Sequence, residues 1–162
     1  MSKELIEAYS KGYDKLREAI SALSEEQMHY KPGPNKWSIH EIIVHVADAE
    51  LVGIHRMKRV LAEDSPALTA YDQDAWANSL RYSDQDAQRS LELFGLMRSM
   101  MVPVLERAEG DDWNRCGIHE EAGPLTLLQL LERYVDHVDG HLAQIERVRA
   151  AYREHAAANK KE

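Results

Sequence analysis

His137 and His141 stand four residues apart in the stretch Arg133-Tyr-Val-Asp-His137-Val-Asp-Gly-His141-Leu-Ala-Gln-Ile145. On an α-helix that spacing puts two side chains on one face, about 5–6 Å apart at Cβ, so two imidazoles can close on one divalent cation. A third donor is needed. His45, inside another apolar helical pattern, can supply it from a facing helix, because bundle metal sites are built from side chains on facing helices. Three neutral nitrogens and an open position make a catalytic-type site, whereas structural zinc is usually closed by four ligands. A cation so held keeps its full charge. It lowers the pKa of bound water to about 7 in favourable cases and deprotonates a coordinating thiol, so a hydroxide or a thiolate nucleophile is within reach. Spacing alone is a weak signal, since eight histidines in 162 residues readily give a chance pair at this interval.

Four neighbours are candidates for supporting roles. Gln144 follows His141 at one helical turn and can accept a ring N–H, which would orient the ligand. Asp48 has the same relation to His45. Gly140 costs about 1 kcal/mol against alanine in a helix interior, so its place between the histidines suggests close backbone approach or room for a bulky group. His119, in a polar loop that can fold over a bundle end, is a substrate-side candidate. For all four the plainer reading is a solvated or incidental position. Glu41 is explained by helix capping. Cys116 has only Arg115 as a nearby cation and no base, and no Ser-His-Asp triad can be argued. Di-iron carboxylate bundles need two Glu-x-x-His motifs; only Glu26-Gln-Met-His29 fits, in a turn, which argues against ferritin-like chemistry.

The elements that must position these residues read as helices. Leu5, Ile6, Tyr9, Tyr13, Leu16 and Ile20 predict one helix over about residues 3–22. Ser24 to Gln27 can cap a short turn, and Lys31-Pro-Gly-Pro34 breaks the chain. Ser38 and Glu41 form a capping box that starts a second helix, with Trp37 and Ile42 as its hydrophobic staple. Its buried stripe runs through Ile39, Ile42, Ile43, Val46, Ala49, Gly53, Met57 and Val60, and His45 falls at the edge of that stripe. Residues 63–82 read as an irregular connection with a short helix around Trp76. A third helix over about residues 84–108 has Leu91, Phe94, Met97, Met101 and Leu105 inward, with a kink expected near Ser99 because Pro103 lacks an N–H. Residues 109–124 read as a polar loop. Thr126 and Gln129 form a second capping box at the start of the last helix. No strand is evident. The expectation is an all-α, four-helix bundle in one domain over residues 1–155, with a frayed tail at 156–162.

Composition narrows the partners. A formal net charge of −8 argues against nucleic acid or an anionic membrane, which need basic surfaces. A lone cysteine precludes an intramolecular disulfide and fits a reducing, cytoplasmic setting. The chain has no apolar run long enough to span a bilayer and no signal-peptide core. A small-molecule substrate is the expected partner.

At these residues a family resemblance appears. Trp37-Ser-Ile-His-Glu-Ile-Ile-Val-His45-Val-Ala-Asp48-Ala-Glu50 resembles the second-helix motif of the DinB/YfiT-like metalloenzymes. His137-Val-Asp-Gly-His141-Leu-Ala-Gln-Ile145 resembles their fourth-helix motif. Tyr71 to Trp76 is similar to the linker of many members, and Gly123-Pro-Leu-Thr126-Leu to the lead-in of the last helix. The resemblance spans about residues 5–150. It implies a four-helix bundle, often homodimeric, with His45, His137 and His141 as ligands. It also implies a metal-dependent thiol S-transferase that uses bacillithiol, mycothiol or glutathione as the low-molecular-weight thiol and acts on electrophilic small molecules. The alternatives are a hydrolase using metal-bound hydroxide, or a non-enzymatic dimeric stress or interaction bundle with a structural or vestigial metal. Zinc or nickel is the expected ion, and iron, manganese or copper also suit such ligands.

Overall fold

The structure is a computed structural model that describes residues 2–159. The chain begins with α1 (Ser2–Ser10) and α2 (Gly12–Ile20), which replace the single helix expected over about residues 3–22. The break at Lys11 has a physical cause. Arg98 donates from Nη1 to the Tyr9 carbonyl at 2.7 Å, taking an acceptor that the helical ladder would use. Gly12 permits this approach, because a Cβ there would lie 2.2 Å from Arg98 Nη1. The short α3 (Glu25–His29) follows, capped reciprocally by Ser24 and Gln27.

The long helix α4 (Ile39–Ala62) starts at the expected capping box: Ser38 Oγ accepts from the Glu41 N–H, and the Glu41 carboxylate accepts from the Ser38 N–H. Lys31 pairs with the same carboxylate at 2.7 Å, so Glu41 is fully occupied as a cap. After α4 come α5 (Gln73–Ser79), capped by Asp72, and α6 (Ala87–Glu106), capped by Asp86. Helix α6 contains Pro103 and stays α-helical across Ser99. The last helix, α7 (Leu127–Asn159), begins at the second capping box, with Thr126 N–H donating to Gln129 Oε1 at 2.9 Å and Gln129 N–H to Thr126 Oγ1 at 3.1 Å. Residues 156–159, expected to fray, continue this helix; residues 160–162 lie outside the described residues.

The bundle is four-helical, and its long members are not arranged up-and-down with sequence neighbours side by side. Helices α1 and α2 pack on α6 and α7, and α4 packs on the same two. The first and second long helices therefore face each other diagonally, as do the third and fourth. Connections must cross the bundle ends, which accounts for their length. Diagonal packing also encloses α4. His45, expected at the edge of its stripe, is 0% exposed. In α6 the buried residue between Phe94 and Met101 is Arg98 and not the expected Met97.

Three short strands correct the strand-free expectation. They are β1 (Ala67–Leu68), β2 (Cys116–His119) and β3 (Gly123–Thr126). β1 runs parallel to β2, and β2 antiparallel to β3. Strands of two to four residues are too short for an alternation signal, and β1 pairs with a segment far along the chain. The expected loop over residues 109–124 is thus a 3-10 turn (Gly110–Asn114) followed by a hairpin. Among the described residues no helix is long and apolar enough to cross a membrane.

Candidate metal centre

Helices α4 and α7 bring the three histidines together. His137 Nε2 lies 3.2 Å from His45 Nε2 and 3.0 Å from His141 Nε2. The three are a cluster whose donor atoms all fall within 4.8 Å of one another. A tetrahedral ion with metal–nitrogen bonds of about 2.0–2.1 Å needs its nitrogens about 3.3 Å apart, so this convergence is close to what such an ion requires. The donor chemistry fits as well. Burial holds His45 and His137 down at about 3, with the neighbouring imidazoles adding to the shift, and burial also lowers His141. All three rings are therefore neutral near pH 7, with lone pairs available to a cation.

Supporting contacts divide the four neighbours named from sequence. Gln144 is in place: His141 Nδ1–H donates to Gln144 Oε1 at 2.8 Å, which leaves Nε2 free to face the other rings. Asp48 is not beside His45. Its Oδ2 accepts from the Tyr82 hydroxyl at 2.7 Å, and His45 Nδ1 is buried with no partner. Orientation of His45 falls to Trp37, whose ring lies against it with centroids 4.7 Å apart. The close approach expected at Gly140 is absent, since a Cβ there would meet nothing within 4 Å. The remaining histidines stand apart from the cluster. His40 Nε2 bonds the Gln85 carbonyl at 2.8 Å and stacks on His29.

His119 lies at the end of β2, next to a cavity of about 260 Å³ that also reaches His137. Arg56, Tyr71, Arg133 and Tyr134 are among the residues around it. A larger cavity of about 580 Å³, between α1 and the end of α6, contains none of the three histidines and, among the described residues, no metal-ligand cluster.

Sequence reasoning missed one buried polar network. Arg98 on α6 pairs with Glu50 on α4, and the Tyr9 hydroxyl donates to the other oxygen of the same carboxylate. Arg98 Nη2 also donates to the Tyr134 carbonyl at 2.7 Å, one turn before His137. The signal was present, because Arg98 falls on the inward three-and-four spacing of Leu91, Phe94, Met101 and Leu105.

A helical bundle in which one buried and two half-buried imidazoles converge beside a small cavity has the donor set that could hold a metal ion. The family model of the DinB superfamily matches residues 8–145, and the chain belongs to that superfamily. Relatives are named as "putative metal-dependent hydrolase". One from Geobacillus thermodenitrificans is 30% identical over 146 residues, covering 88% of this chain and 81% of its own. One from Bacillus licheniformis is 28% identical over 131 residues, covering 80% and 74%. The fold matches that of YfiT from Bacillus subtilis, reported as "a probable metal-dependent hydrolase with an unusual four-helix bundle topology", with a TM-score of 0.85 at 24% identity, over 91% of this chain and 85% of that one.

Proposed function

We propose that the protein is a metal-dependent hydrolase of a small molecule, with His45, His137 and His141 holding one divalent cation. The observation that carries this reading is the convergence of three neutral Nε2 donors at the edge of a cavity. When bound, a divalent ion supplies Lewis acidity and brings the pKa of water towards neutrality. The chain's own residues prepare that position. Gln144 fixes the tautomer of His141. Trp37 and the surrounding core keep solvent from His45. His137, which borders the cavity, is the ligand nearest an incoming substrate.

The relatives' names favour hydrolysis over the thiol S-transferase expected from the sequence. The test is to purify the protein gently, measure its metal, and assay ester, amide and phosphoester cleavage with and without added thiol, beside His45→Ala. About one metal ion per chain and thiol-independent turnover that chelator removes would support the proposal. Turnover only with thiol would return the transferase reading. Stoichiometric metal without turnover would favour a non-enzymatic bundle, and a metal-free wild type would remove the metal site altogether.

A further inference from the structure

The cavity beside His137 is unlike the rest of the molecule in its charge. The chain carries a formal charge of −8, yet two arginines and no aspartate or glutamate line this space. Arg56 comes from α4 and Arg133 from α7, one turn before His137.

Both arginines have unused donor capacity. Arg56 donates from Nη1 to the Tyr134 hydroxyl at 3.3 Å and from Nη2 to the Thr69 carbonyl, while its Nε is buried with no partner. A buried guanidinium N–H left unpaired is costly, and the Arg56 fork, held by Tyr134 and Thr69, keeps its charge beside the cavity it lines. Arg133 is exposed and makes no ion pair among the described residues. Both guanidiniums lie close enough to His119 to disfavour its protonation; burial is the larger cause, and Glu121 and Glu120, in the hairpin turn next to it, partly offset it.

His119 adds a third donor of defined direction. Its Nδ1 accepts from the backbone N–H groups of Glu121 at 3.2 Å and Ala122 at 3.3 Å. The proton of the neutral ring must then sit on Nε2, and that N–H is the ring's remaining hydrogen-bonding group. Tyr71 and Tyr134 give the space an aromatic wall. At about 260 Å³ it is smaller than the roughly 300–1,000 Å³ typical of drug-sized ligand sites.

We infer that this cavity takes the oxyanion of a small substrate, a carboxylate or a phosphate, held by Arg56 and Arg133 with His119 Nε2–H as third donor. Arginine's planar fork suits both anions. The anion would anchor the molecule at one end and leave its other end towards His137. That last step rests on the hydrolase reading; the anion site itself stands on the cavity alone.

The test titrates wild type and Arg133→Gln with benzoate, phenyl phosphate and the neutral isostere benzamide by calorimetry, with metal measured in the same samples. Arg133 is the position of choice because it is exposed, whereas Arg56 also holds the Thr69 carbonyl. His119→Gln serves as a second variant. The expected result is that at least one anion binds about tenfold or more tightly than benzamide, and that Arg133→Gln removes about tenfold of that preference with metal content unchanged. Whether benzoate or phenyl phosphate is preferred identifies the anion. Binding of both anions no tighter than that of benzamide, or no binding of either anion at millimolar concentration, would overturn the inference. So would anion binding indifferent to Arg133→Gln, which would put the anion on the cation instead. Repeating the titration with His45→Ala separates the two proposals: arginine-dependent binding in a metal-free protein keeps the anion site whatever becomes of the hydrolase reading.

Discussion

Arg98 and Glu50 form an ion pair in the middle of the bundle. Nε and Nη2 of Arg98 both donate to Glu50 Oε2, at 2.9 and 2.8 Å, from side chains 2% and 1% exposed. The same guanidinium holds the Tyr9 and Tyr134 carbonyls, so one side chain of α6 ties together α1, α4 and α7. Removing one partner of a buried pair leaves an uncompensated charge, at a cost of about 3–5 kcal/mol. Arg98→Met is expected to lose that much in denaturant unfolding. Arg98→Met combined with Glu50→Gln should be less destabilised than the sum of the single changes, and strict additivity would show that the two charges are not coupled.

The metal should stabilise the fold. A ligand at a free concentration about 1,000 times its Kd adds about 4 kcal/mol. Chelator should lower the melting temperature of wild type and leave that of His141→Ala unchanged. Equal shifts in both proteins would mean that chelator acts elsewhere.

Acid should destabilise the chelated protein through its histidines. His45 and His137 sit at about 3 in the fold, against an ordinary value of 6.5. Below pH 6.5 the unfolded chain binds protons that the folded chain refuses. Their contribution is therefore fully present above about pH 6.5 and is lost as pH falls towards 3. The slope approaches about 1.4 kcal/mol per pH unit for each such histidine. Unfolding of wild type and His137→Phe between pH 7 and pH 4 measures it, and identical slopes would contradict the assignment.

Gln144→Leu removes the acceptor for His141 Nδ1–H while keeping the side chain's size. Loss of such a hydrogen bond behind a ligand typically costs about 10–100-fold in metal affinity. A competition assay with a chromophoric chelator reads this directly. Unchanged affinity would reduce the 2.8 Å contact to a surface hydrogen bond.

Two helical glycines should respond in opposite directions. At Gly140 a Cβ meets open space, so Gly140→Ala should gain about 1 kcal/mol of stability and keep its metal. At Gly53 a Cβ would lie 2.4 Å from the Tyr134 ring, so Gly53→Ala should lose about 1–3 kcal/mol by pushing α4 away from α7. Thermal unfolding of the two variants tests both statements.

The helices and their caps were legible because each rests on local chemistry. Ser38 with Glu41, and Thr126 with Gln129, need only neighbours three residues away. The histidine cluster was legible because His45, His137 and His141 sit in recognisable motifs. Features that depend on distant contacts were not. The split at Lys11 follows from Arg98, which is close only after folding. Asp48 was expected at His45 from its spacing, but Tyr82, placed by the connection after α5, takes its carboxylate. The strands are too short to leave a pattern, and the anion cavity draws its residues from four separate segments of the chain.

The small sheet carries a consequence for redesign. The three clustered histidines stand on bundle helices, while Tyr71 and His119 come from the two crossovers that β1 and β2 join. Those crossovers are stitched to each other, by Ile118 N–H to the Pro66 carbonyl at 2.8 Å and by Ala70 N–H to Glu120 Oε2 at 2.8 Å. A graft that exchanges one crossover alone would tear that seam. Transplanted as a pair, they form a cassette that could change what the cavity accepts and leave the three imidazoles untouched.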